Sequence, residues 1–170
     1  MKAKSKKSVS DAEKERRRAL YLSLLADPDY ENIQFNAENG GLMATHKGHN
    51  FNVQNGQYEK DVQSIGYNDG HCVILTSETG KPDDEKYYDG LWDNSTFEIG
   101  SSLGNGKNNI KGILQHCQKK KAEIAIIYFH NSKLFSLERL LTGIAKYTGQ
   151  TDYRFKHIIY VVNNTVYYYI

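Results

Sequence analysis

The stretch GGLMATHKGHNF, residues 40–51, sets His46, Lys47 and His49 close together between an acidic and an aromatic segment. Histidine exchanges its proton near neutral pH, and a neighbouring lysine carries a fixed positive charge, so these types can move protons beside an anion. They also suit a solvated turn rich in Gly and Asn. Further groups with chemical potential follow in order: Glu59, Glu78, Asp89, Asp93 and Glu98, then Lys107, Lys111, Gln115 and His116. Carboxylates in such a series hold a divalent cation or accept a proton, whereas lysines and amides contact phosphate. A zinc site using both His46 and His49 lacks a cysteine or third histidine at ligand spacing.

These side chains need a scaffold, and 170 residues suffice for one globular domain with an extension. Thirteen tyrosines, six phenylalanines and several β-branched runs supply its core. The net charge of +2 excludes a general polycation, but charge is segregated: the first eighteen residues hold eight Lys or Arg against three acids. Two cysteines without CxxC spacing, Cys72 and Cys117, point to a reducing compartment. Neither a signal peptide's apolar segment nor a run of transmembrane length occurs, so a cytoplasmic, free-standing protein is expected.

Periodicity and turn chemistry divide the chain into a basic tail with an amphipathic helix, residues 1–30, and a main body, residues 31–170. Ser10 and Glu13 have capping-box spacing, and the helix from Asp11 to about Ala26 would bury Ala19, Leu20, Leu24 and Leu25 before Asp27-Pro28 stops it. Short strands fit IQF and GLMAT. A helix fits residues 57 to about 66, with Gly66 as its C-terminal signal. HCVILT and AEIAIIYF read as buried strands, and YYDGLWDNSTFEIG as a strand pair turning at Asp89-Gly90 or Asp93-Asn94. Helices follow at Asn109 to Lys119 and after Ser136, and the last strands flank Asn163-Asn164. The pattern predicts an α+β fold with α/β character: a twisted mixed sheet flanked by helices, with an N-terminal helical extension.

This order of elements, with Glu59 on a helix, "DG" at a strand turn, Glu98-Ile99 on a strand, Gln115 near a helix end, IAIIYF and the terminal HIIYVVNNTVYYYI, resembles the C-terminal tRNase toxin domains of contact-dependent inhibition (CdiA-type) proteins. Related nuclease domains of phage and conjugative elements are similar. The resemblance spans roughly residues 40–170 and implies a nuclease-like domain acting on RNA, tRNA above all, with an immunity protein as a further partner and delivery into a target cell as a setting.

Two nuclease designs are compatible with it. In the barnase, EndoU, colicin or RelE manner no metal is needed: the RNA 2′-hydroxyl attacks the adjacent phosphate, His46 and His49 share acid and base roles, Lys47 or Lys107 steadies phosphate charge, and Glu98 orients a cation or acts as base. Lys107, Lys111, Gln115 and His116 would contact substrate. In the PD-(D/E)XK manner Mg²⁺ is held by Glu59, Asp89 and Glu98, and a lysine would stand where Gly100 does. That glycine also leaves open an interaction module without catalysis.

Overall fold

The computed structural model describes residues 8–52, 56–79 and 87–170. Within them the chain forms two compact units: one runs from the N-terminal helix through the third strand and takes in Asp89–Ser95, and the other contains Thr96–Ile170. Each holds strands paired both parallel and antiparallel and flanked by helices, as the α+β pattern predicts. Among the described residues no helix is long and apolar enough to cross a membrane.

The first unit contains α1 (Asp11–Leu25), β1 (Tyr30–Phe35), β2 (Leu42–His46), α2 (Gly56–Asn68), β3 (Cys72–Leu75) and β4 (Gly90–Trp92). β1 and β2 are antiparallel, interrupted by an irregularity between Glu31 and Gln34 where Asn32 takes a positive φ. β2 and β3 run parallel through the α2 crossover, and β4 returns antiparallel to β3. Leu42, Ala44, Cys72 and Ile74 share one face and pack with Leu24 of α1. On the other face Gln63 of α2 is buried and donates to the Ala44 carbonyl at 2.9 Å. Gly66 is not the expected helix terminator. It lies inside α2 because the Trp92 ring leaves no room for a Cβ, and Gly70, at φ +90°, follows the helix end instead.

α1 begins where the cap spacing predicts, with Ser10 Oγ accepting from the Glu13 N–H. Its buried face differs from the apolar reading: Ala19 and Leu25 are exposed, whereas Arg17 is buried beside Leu20, Tyr21 and Leu24. The Arg17 guanidinium donates to the carbonyls of Gly40 and Gly70 at 2.8 and 2.7 Å and to Asp93 at 3.1 Å. It satisfies the backbone at two chain turns at once.

Asp93 joins that clamp to His71, whose ring contacts Asp93 at 2.7 Å and Asp69 at 3.2 Å and leans on Trp92. Burial opposes charge on His71, but the two carboxylate hydrogen bonds and the charges of Asp93 and Asp69 outweigh it and raise its pKa from 6.5 to about 8. Burial likewise opposes ionisation of Asp93, and hydrogen bonds and charge from His71, the Cys72 N–H and Arg17 bring its carboxyl below the usual value. The raised histidine contributes stability that is complete below pH 6.5 and fades as pH rises through about 8. The depressed carboxyl contributes above its ordinary 3.8 and is lost in acid. Unfolding free energy from urea titrations is therefore expected to fall by about 2 kcal/mol between roughly pH 6 and pH 9, a slope that His71→Asn should flatten.

The second unit has β5 (Ser95–Ser101) from Thr96 onward, α3 (Asn109–Lys119), β6 (Ile124–Phe129), a 3-10 turn (Ser132–Leu134), α4 (Leu137–Thr148), β7 (His157–Val162) and β8 (Thr165–Tyr168). β5, β6 and β7 are parallel, and β8 turns back on β7 through Asn163-Asn164, both at positive φ. α3 and α4 cover one face over Ala125, Ile127, Ile158 and Tyr160. Gly143 of α4 permits their close approach, since a Cβ there would come 2.5 Å from Ile110. Both cysteines are buried thiols outside any disulfide, and burial pushes the Cys72 thiol up to about 12, so it stays a protonated core group.

Candidate metal centre

Parallel pairing of β2 with β3 sends both strands' carboxyl ends to one edge, and the register Thr45↔Leu75↔Gly90 brings the antiparallel β4 to the same edge at its start. Residues after β2, after β3, before β4 and near the start of α2 must therefore meet there. His49, Glu78, Asp89 and Glu59 occupy those four places, and one potential ligand atom from each lies within 4.8 Å of all the others. Carboxyl ends of parallel strands are the usual mouth of α/β sites.

The turn after β2 aims His49 inward. The His49 N–H bonds the His46 carbonyl at 2.9 Å, and Gly48 lies so close to Ser77 and Thr79 that any Cβ would strike their hydroxyls. The His49 side chain is fully enclosed. Its Nδ1 faces the Thr76 carbonyl at 2.8 Å and its Nε2 faces Glu59 Oε1 at 3.2 Å. Burial disfavours protonation of this ring, yet the Glu59 hydrogen bond, the Thr76 carbonyl and the charges of Glu59 and Glu78 prevail and raise its pKa. Glu59 and Asp89 are buried too, and Glu59 Oε2 has no hydrogen-bond partner. Leaving a buried carboxylate oxygen unpartnered is costly, and a bound cation would remove that cost.

The donor set suits a cation. Donation of Nδ1–H to Thr76 would fix the tautomer and present the Nε2 lone pair, the usual second contact of a ligating histidine. Opposite ligands of a cation held at about 2.1 Å are roughly 4.2 Å apart, so the four groups need draw in only slightly.

The sequence-level candidates divide between the units. His46 ends β2, accepts the Gly48 N–H at 2.9 Å through Nδ1 and packs edge-on against Tyr30, so its contacts are those of the turn and do not pair it with His49. Lys47 is exposed. Of the carboxylate set Glu59, Asp89 and Glu98, the first two meet at the edge. Glu98 belongs to the second unit: its buried carboxylate binds His116 Nε2 at 2.9 Å and leaves Oε2 unpartnered. Gly100 has a packing reason, because a Cβ there would come 2.3 Å from Ile113 of α3; a lysine could not simply be restored. Lys107, Gln115 and His116 are exposed and Lys111 half-buried, all in or beside α3.

Glu78 stood in the sequence's series of carboxylates but had no role in either nuclease design. The available signal was its place, three residues beyond the end of a fully buried strand, where a polar residue at the sheet's mouth has functional weight. No protein-family model, curated protein or solved structure matches the chain, so its own geometry is the ground for a functional reading.

Proposed function

We propose that the protein is a metal-dependent nuclease whose cation is held by His49, Glu59, Glu78 and Asp89. The carrying observation is the convergence of these four groups on one point with a buried Glu59 oxygen left unpartnered. A divalent ion in such a site polarises a phosphoryl oxygen and lowers the pKa of a bound water. The protein's part is to hold the ion: Thr76 orients His49, and the sheet edge fixes the carboxylates. One imidazole with three carboxylates favours Mn²⁺ over Mg²⁺, which prefers oxygen alone. The order of elements that resembles toxin nuclease domains supports nucleic acid as substrate, with RNA, tRNA in particular, first to be tried. The enclosure of His49 weighs against the metal-free design, in which that ring would have to touch the ribose.

Incubation of purified protein with total RNA is expected to give cleavage in Mn²⁺, less in Mg²⁺ and none in EDTA. Cleavage that survives EDTA and leaves 2′,3′-cyclic phosphate ends would replace this reading with transphosphorylation. Absence of both cleavage and Mn²⁺ binding would favour the interaction module.

A further inference from the structure

The segment from Ile99 to Ala122 contains no acidic residue and five lysines, and α3 lies within it. Three features of this helix work against its own stability. Lys111 places a positive charge in the first turn, where the helix macrodipole favours an anion and no acidic side chain stands. Asn108, at the N-cap, makes no side-chain capping hydrogen bond. Gly112 sits in the helix with nothing within 4 Å of the Cβ it lacks, so unlike Gly143 it has no packing reason to be glycine.

Such departures from local preference mark function when they coincide on one surface. Gln115 and His116 follow Gly112 one turn on, and Lys119 continues the exposed stripe. His116 is half exposed, and its Nε2 is held by the buried Glu98 carboxylate at 2.9 Å, which fixes the ring at the helix surface. A cation where the helix itself favours an anion, beside bare backbone, complements a polyanion lying close against the helix.

We propose that the α3 face around Gly112 binds the RNA phosphate backbone, with Lys107 and Lys111 pairing phosphates, Gly112 allowing close approach and His116 as a hydrogen-bonding contact positioned by Glu98. The choice of RNA rests on the nuclease reading above; the surface lies wholly within the second unit and needs no metal.

Binding of a short fluorescein-labelled RNA, followed by anisotropy in EDTA, isolates this surface from catalysis. Lys107→Glu with Lys111→Glu should weaken binding about tenfold or more and flatten its salt dependence by roughly 0.7 per lost phosphate contact. Gly112→Gln should weaken binding while thermal stability holds or rises, a combination that a glycine kept for folding cannot give. Lys133→Glu with Lys146→Glu, equal in charge and elsewhere in the same unit, should cost clearly less. Wild-type affinity in the α3 variants, an equal loss in the control, or binding of DNA alone would overturn the proposal. The Lys107→Glu, Lys111→Glu variant should keep the Mn²⁺-induced rise in melting temperature, which reads the metal site alone, so failure of the metal site and failure of this surface are told apart.

Discussion

Glu59→Gln is expected to abolish the rise in melting temperature that Mn²⁺ gives the wild-type protein and to lower RNA cleavage by about a hundredfold or more. Ion at a hundred times its dissociation constant stabilises a folded site by about 2.7 kcal/mol. For a chain of this size that is a rise of roughly 5–10 °C. The amide keeps the shape of Glu59 but removes a charge from a cluster of three carboxylates and one imidazole. Metal-free Glu59→Gln should accordingly melt close to the metal-free wild type, because lost repulsion offsets the lost His49 contact. Differential scanning fluorimetry across an Mn²⁺ titration reads both quantities. A variant that retains the full metal-induced shift would remove Glu59 from the ligand set.

The largest loss of stability is expected from Arg17→Ala, about 3–5 kcal/mol in urea titrations. The guanidinium is almost fully buried and serves the Gly40 and Gly70 carbonyls together with the carboxylates of Asp93 and Glu13. Its removal strands the Gly40 and Gly70 carbonyls away from water and uncouples α1 from the sheet. Arg17→Lys should recover only part of the loss, since an ammonium cannot reproduce the planar fork. A cost below about 1 kcal/mol would mean that water replaces the guanidinium easily and that α1 docks mainly through Leu24 and its neighbours.

Arg17 also shows where sequence reading reaches its limit. Elements set by local chemistry were legible: the Ser10 cap, the span of α3, and the Asn163-Asn164 turn all follow from residues within a few positions of one another. Gly66 was misread and Arg17 passed over among the N-terminal charges because their reasons lie across the fold, in an indole from β4 and in carbonyls more than twenty residues away. The same holds at the sheet edge. His49, Glu59 and Asp89 were recognisable as reactive types, but they were divided between competing designs because only the β2–β3–β4 register makes them neighbours. Glu78 stood in the same series of carboxylates, but nothing near it in the chain tied it to the other three. Gly100 read as a missing lysine, and its packing against Ile113 shows that helix proximity is a sufficient cause.

Trp92, the chain's single tryptophan, is buried in the first unit between Gly66 of α2 and the His71 ring. Indole fluorescence is therefore an optical label already built into one half of the molecule, and light absorbed by indole alone reports nothing from the other. Tyrosine emission and the far-ultraviolet dichroism of α3 and α4 must be followed separately to see whether the second unit melts with the first. An imidazolium in contact with an indole also quenches it, so the brightness of the folded protein doubles as an optical titration of His71.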